Sequence, residues 1–175
     1  MADTSTPENI RQAAAVHFKN TVKKGWDTED AQENGITIDE NERQNIKTHL
    51  VQLMCSTPSL VKAQISEAIS IIAKLDYPEK WKNLLPELVS QFQSPDQTVV
   101  NGVLLTANAI FKSFRYVQRS DELYSVILFT LTGIQEPLLG LLKHTGQALQ
   151  AAQRDPARLA ALFETLRLIC RIAYR

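Results

Sequence analysis

Three histidines and two cysteines are the side chains of this chain best suited to hold a metal or attack a substrate. His17, His49 and His144 fall in separate helical stretches, and the six-residue step from His49 to Cys55 does not stay on one helical face. Zinc needs three or four convergent ligands, so no metal site is expected. There is no Gly-rich phosphate loop, nucleophile elbow or paired-carboxylate signature, and no cofactor is expected. Asp76 beside Tyr77 could serve as an acid catalyst, but its place just before Pro78 suits a cap on a helix that the proline opens. Trp26 and Trp81 could stack against a ligand; as the largest members of apolar stripes they are expected to anchor cores instead. No catalytic residue is assigned, and an enzyme is not expected.

Charge narrows the range of partners. Lys plus Arg and Asp plus Glu are 19 each, so the formal net charge is zero. A nucleic-acid binder held by bulk electrostatics would show a basic excess, so nucleic acid is not an expected partner. Lys19, Lys23 and Lys24 make a small basic face at the end of the first predicted helix, where cations suit the helix dipole. Glu42, Arg43 and Lys47 share the polar side of a second helix; Lys80, Lys82, Glu87 and Gln91 share that of a fourth. Such faces are usually only solvated, but the second helices of stacked pairs line the concave side of a solenoid, where partners bind.

The elements that would carry these faces are helices. The stretch Gln64 to Phe92 sets the pattern. Ile65, Ala68, Ile69, Ile72 and Ala73 form one amphipathic stripe, and Trp81, Leu84, Leu85, Leu88, Val89 and Phe92 form another. Pro78 ends the first near Leu75 and opens the second, which predicts a helical hairpin. The first helix should start at Thr6-Pro7-Glu8, with a hydroxyl cap, carry the stripe Ile10, Ala14, His17, Phe18, Thr21 and Val22, and end near Gly25-Trp26. Asp27 to Gly35 reads as a surface loop. The second helix should start between Thr37 and Asp39, where Asp39 and Glu42 have capping-box spacing, and carries Ile46, Leu50, Leu53 and Met54. The third runs from Pro58 to Leu75 and the fourth from Pro78 to about Gln93. Ser94-Pro95-Asp96-Gln97 opens the fifth. A long sixth should run from Ser120 to Gln153 with a kink near Gly133, and Asp155-Pro156 opens the seventh. No stretch alternates as a strand would, and five of the seven prolines sit at predicted helix starts. The fold class is all-α.

No run reaches the ~18 uncharged apolar residues that span a bilayer, and MADTSTPEN lacks a signal-peptide core. Cys55 and Cys170 read as buried, reduced thiols. These features predict a soluble intracellular protein without membrane insertion. Openings at Pro7, Pro58, Pro95 and Pro156 mark every second helix at unequal steps of 51, 37 and 61 residues, on the scale of a HEAT-type repeat of ~40–47. The expected arrangement is an α-α superhelix: helices one with two, three with four, five with six, and a seventh unpaired. Residues 1–175 then form one solenoid region, cut mid-repeat at both ends, with Ile10, Phe18, Leu162, Phe163 and Ile169 partly bare.

The same residues carry a resemblance. QISEAISIIAKLDYPEKWKNLLPELVSQF, with its Asp76-Tyr77-Pro78 and Trp81 corner followed by Leu84-Leu85-Pro86, resembles the N-terminal region of the importin-β superfamily of nuclear transport receptors. RQAAAVHFKNTVKKGW resembles the preceding helix of that region. NGVLLTANAIFKSFRYVQRSDELY, through Ile110-Phe111-Lys112 and Arg119 to Leu123, is similar to the CAS-type exportins, which return importin-α to the cytoplasm. The resemblance implies a HEAT-repeat receptor that shuttles between nucleus and cytoplasm. Its partners would be Ran-GTP, importin-α as cargo and nuclear pore proteins. Helices two and four would supply the grip on Ran, making Arg43, Lys47, Lys82, Glu87 and Gln91 candidate contacts. It also implies that most of a first repeat precedes Thr6 and that later repeats follow. The alternative is a HEAT-type scaffold that binds protein partners without any nucleotide switch.

Overall fold

Capping chemistry decides where each helix starts in the computed structural model, which describes residues 1, 3–114, 117–152 and 155–174. Helices α1 (Glu8–Gly25) and α4 (Ser59–Asp76) follow Pro7 and Pro58 directly, with no side-chain cap. The Thr6 hydroxyl donates to Asp3 instead, at 3.0 Å, so the expected hydroxyl cap is not made. Asp39 does cap α3 (Glu40–Cys55): its Oδ1 accepts from the amides of Asn41 and Glu42. Ser120 caps α7 (Asp121–Ala151) and Asp155 caps α8 (Pro156–Ala173), as the spacing predicts. Helix α6 (Gln97–Phe114) starts two residues later than a Ser94 cap would place it. Asp96 accepts from the Thr98 amide, while Ser94 Oγ accepts from Asp96 itself.

Two expectations fail locally. The acidic segment read as a loop contains helix α2 (Thr28–Asn34). Asp27 accepts from the Glu29 amide, Glu29 and Asp30 sit in the favourable first turn, and Gly35 closes the helix at φ 62°. The helix expected from Pro78 begins only at Leu84, as α5 (Leu84–Ser90), and passes into a 3₁₀ turn at Gln91–Gln93. In between, the chain turns: the Lys80 amide donates to the Asp76 carbonyl at 2.8 Å.

The chain divides into two compact units, Met1–Leu84 and Leu85–Arg175. In the first, α1 packs on α4 and α2, and α3 packs on α4. The first helices of successive expected pairs therefore stack on each other, as in solenoid repeats. The buried face of α1 is Arg11, Ala15, Val22 and Gly25, leading into Trp26. Of the predicted stripe Val22 is buried and Ile10, expected to lie partly bare, is 54% exposed, but Ala14 and His17 face solvent. Gly25 lies under the segment after α2, where an added Cβ would fall 2.5 Å from Ile36 Cγ2.

In the second unit α8 packs on both α6 and α7, so the helix expected to be unpaired has two partners. Leu162 and Ile169 are buried, against expectation; Phe163 is exposed as expected, and Phe18 of the first unit is half-buried. Helix α7 runs unbroken through Gly133, Pro137 and Gly140. Gly133 permits close approach, since a Cβ there would lie 2.9 Å from Leu85 Cδ2. By length and composition α7 is also apolar enough to cross a membrane, with a mean hydropathy of 1.5 over 18 residues. Glu136 and Lys143 still interrupt the run, so it holds no 18 consecutive uncharged apolar residues, but its average hydropathy is membrane-like, which composition read residue by residue did not show. The expected helix end at Gln153 and the chain end at Arg175 lie outside the described residues. Among the described residues there is no strand.

Cys55 is half-buried and Cys170 exposed, so the pair of buried thiols is not found. Trp81, 4% exposed, is a core anchor as expected. Truncating it in Trp81→Ala should cost about 3–5 kcal/mol, read by urea denaturation. Gly25→Ala should cost about 1–3 kcal/mol by overpacking against the branched Cβ of Ile36, whereas Gly35→Ala meets no atom and is strained only by its left-handed backbone.

Candidate partner-binding surface

Helix α3 was expected to present Arg43 and Lys47 to a partner, on the polar side of an amphipathic helix. Its buried residues are Lys47, Leu50, Val51 and Met54. Lys47 thus belongs to the core stripe, and Ile46 and Leu53 are only half-buried. The Lys47 ammonium is taken out of water and satisfied by two acceptors. Its Nζ lies 3.0 Å from Asp76 Oδ2 and 3.0 Å from the Lys80 carbonyl. The side chains of the ion pair are 4% and 5% exposed. Asp76 ends α4 as the counter-charge of Lys47 and does not cap a helix opened by Pro78. This corrects both assignments: neither carboxylate nor ammonium is available to solvent, a catalyst or a partner.

The bond to the Lys80 carbonyl also explains the late start of α5. Lys47 draws the 77–83 segment down onto α3 as a turn, and Trp81 goes with it into the core. Lys82 is consequently exposed in that turn and not on a helix.

Arg43 has a similar structural role. Its Nη1 donates to the Trp26 carbonyl at 2.7 Å and its Nη2 to that of Gly25 at 3.3 Å. These carbonyls end α1, where helical acceptors lack partners. Its Nε donates to Ile38 at 3.1 Å, and its guanidinium sits 5.0 Å from the centre of the Trp26 ring. One side chain thereby closes α1, fixes the strand-like entry to α3 and covers Trp26. Sequence reasoning missed this because the acceptors are backbone atoms far away in the chain.

The remaining candidates lie elsewhere. Lys82 belongs to the first unit; Glu87, half-buried on α5, and Gln91, half-buried in the 3₁₀ turn, belong to the second. Burial pushes the Glu87 carboxyl above its usual range. Burial likewise raises the Cys55 thiol, with Lys62 pulling weakly the other way. Lys19 pairs with Glu67 at 3.4 Å, while Lys23 and Lys24 close α1. His49 Nδ1 lies 2.9 Å from the Asn45 carbonyl. Among the described residues no three His, Cys, Asp or Glu side chains gather as metal ligands. Of the five predicted contacts, then, Lys82 is exposed, Arg43, Glu87 and Gln91 are half-buried, and Lys47 is buried inside the first unit.

Known proteins resemble this chain along nearly its whole length. The importin-beta N-terminal domain matches residues 1–56, and the Cse1 domain matches residues 110–175. The zebrafish (Danio rerio) protein exportin-2 is 40% identical over 172 residues, covering 98% of this chain. Human exportin-2 is 38% identical over 99% of the chain, and the importin-alpha re-exporter of Schizosaccharomyces pombe 35% identical over 99%. A solved structure of the exportin Cse1 in its cargo-free, cytoplasmic state superposes with a TM-score of 0.86 and 37% identity over 99% of this chain. The chain spans 18% of the length of each of these relatives.

Two outcomes follow from the buried charges. Lys47→Met should cost about 3–5 kcal/mol by leaving Asp76 buried and unpaired, and Lys47→Met/Asp76→Leu should regain most of that loss, both measured by thermal unfolding. Because the folded state holds the Glu87 proton more tightly than the unfolded chain, ionisation of Glu87 weakens folding as pH rises past the ordinary carboxylate range. Glu87→Gln should therefore raise the melting temperature at pH 7 and leave it unchanged near pH 3.

Proposed function

We infer that this chain, which belongs to the importin-β superfamily and matches its Cse1 branch, is the N-terminal segment of a nuclear export receptor. The observation that carries this is similarity in one register over 98–99% of the chain, at 38–40% identity, to proteins named exportin-2. In this reading the receptor carries importin-α out of the nucleus and binds Ran in its GTP form. It shuttles between nucleus and cytoplasm and meets nuclear pore proteins on the way. The role is binding, not catalysis: the charged groups that could do chemistry, Lys47 and Asp76, neutralise each other inside a core.

Lys82, Glu87 and Gln91 are the proposed contacts for Ran. Arg43 and Lys47 support Lys82 indirectly, by holding α1, α3 and the 77–83 turn of the first unit in place. A HEAT-type scaffold without a nucleotide switch remains the competing function, and partner binding separates the two. Immobilised chain and immobilised full-length zebrafish exportin-2 are each exposed to Ran locked with GTP or with GDP. The transport reading expects retention of the GTP form over the GDP form by both. It also expects Lys82→Ala in this chain to weaken that retention without changing the melting temperature. Equal retention of the two forms, or of neither, by this chain would end the assignment of Ran contacts to it.

A further inference from the structure

Helix α8 lies on α6 through an apolar face interrupted by a polar cluster of the buried Thr165 and the half-buried Gln97 and Asn101. Thr165, at 0% exposure, sits in the middle of the α8 stripe of Leu162, Leu168, Ile169 and Ile172. Its hydroxyl accepts from Gln97 Nε2 at 2.6 Å and lies 2.7 Å from Asn101 Oδ1 and 3.0 Å from the Ala161 carbonyl, either of which takes its single proton. Asn101 Nδ2 also donates to that Ala161 carbonyl, at 3.1 Å. Gln97 and Asn101 are one turn apart on α6, so together they grip α8 at one height.

The apolar part of this contact does not define that height. Its two stripes are alike from turn to turn: α8 offers leucine and isoleucine, and α6 valine, leucine and alanine. The polar part does define it. One turn beyond Asn101 stands Leu105, and one turn beyond Thr165 stands Ile169, neither of which offers a hydrogen bond. A slipped α8 would leave the Thr165 hydroxyl its own-helix Ala161 carbonyl and take from it Gln97 Nε2, Asn101 Oδ1 or both. We propose that the Gln97–Thr165–Asn101 cluster is a register lock, which selects one of several apolar alignments of α8 on α6. The lock also sets the shape of the neighbouring surface. Ile169, Ile172 and Ala173 of α8 form one wall of an apolar groove of about 590 Å³ along α7, and a one-turn slip would move that wall.

The test is a distance measurement on the full chain. Spin labels on the exposed native Cys170 and on Leu105→Cys, in a Cys55→Ser background, report the height of α8 against α6. The unaltered cluster should give one distance population. Gln97→Met/Asn101→Leu/Thr165→Val, which keeps volume and removes every polar partner, should stay helical and show a second population offset by about one turn. Thr165→Ser, which restores the hydroxyl, should return a single population. Thr165→Val alone should broaden the distribution, which keeps the test readable if the triple variant unfolds. A single distance as narrow as the native one in Thr165→Val or in the triple variant overturns the lock.

Discussion

A lysine ammonium cannot be left in a protein interior without a counter-charge and further acceptors. In the first unit that requirement is met by an aspartate at the end of α4 and a backbone carbonyl in the turn that follows it. Because Lys47 comes from α3, the pair joins two helices and a turn at a single point. The turn carries Trp81 into the core and postpones α5 until Leu84. Arg43, one turn earlier on α3, does for the end of α1 what Lys47 does for the end of α4. Helix α3 therefore works as a clasp, with two long cations reaching the C-terminal ends of two stacked helices, where the dipole favours positive charge.

The second unit solves the same problem without charge. Its stacked helices α6 and α8 are joined by neutral amides and a hydroxyl, and its close approaches depend on a missing Cβ at Gly133. In both units a few buried polar links give direction to apolar surfaces that alone would pack in several ways. What distinguishes them is the outside. Leu128, Phe129 and Leu131 leave much of α7 apolar and exposed, which accounts for its membrane-like hydropathy in a chain whose relatives are transport receptors.

How much of this was legible in the sequence depended on the range of the interaction. Caps are local: Asp39, Ser120 and Asp155 were readable because donor and acceptor lie within three residues. The start of α6 was misplaced because Ser94 and Asp96 compete for the same role, and the nearer residue to the helix wins. The Asp76 to Trp81 corner was recognisable as a corner, but not its cause, since Lys47 stands 29 residues from Asp76. A lysine spaced among polar residues looks solvated until its counter-ion is known, and this is why Arg43 and Lys47 read as partner contacts. Periodicity placed the helices well and their faces less well. On α1 an alanine-rich run allows more than one stripe, and the tertiary choice of Arg11 and Ala15 over Ile10 and Ala14 leaves no mark in composition.

The central claim is that the 77–83 turn is held as firmly as the helices it joins, through the buried Lys47. Amide hydrogen exchange tests this most directly, on the unmodified chain. The Tyr77 and Lys80 amides, which donate to the Ala73 and Asp76 carbonyls, should exchange as slowly as those in the middle of α4, opening only with the unit as a whole. Exchange of those two amides at the rate of an open loop, while α4 stays protected, would contradict it.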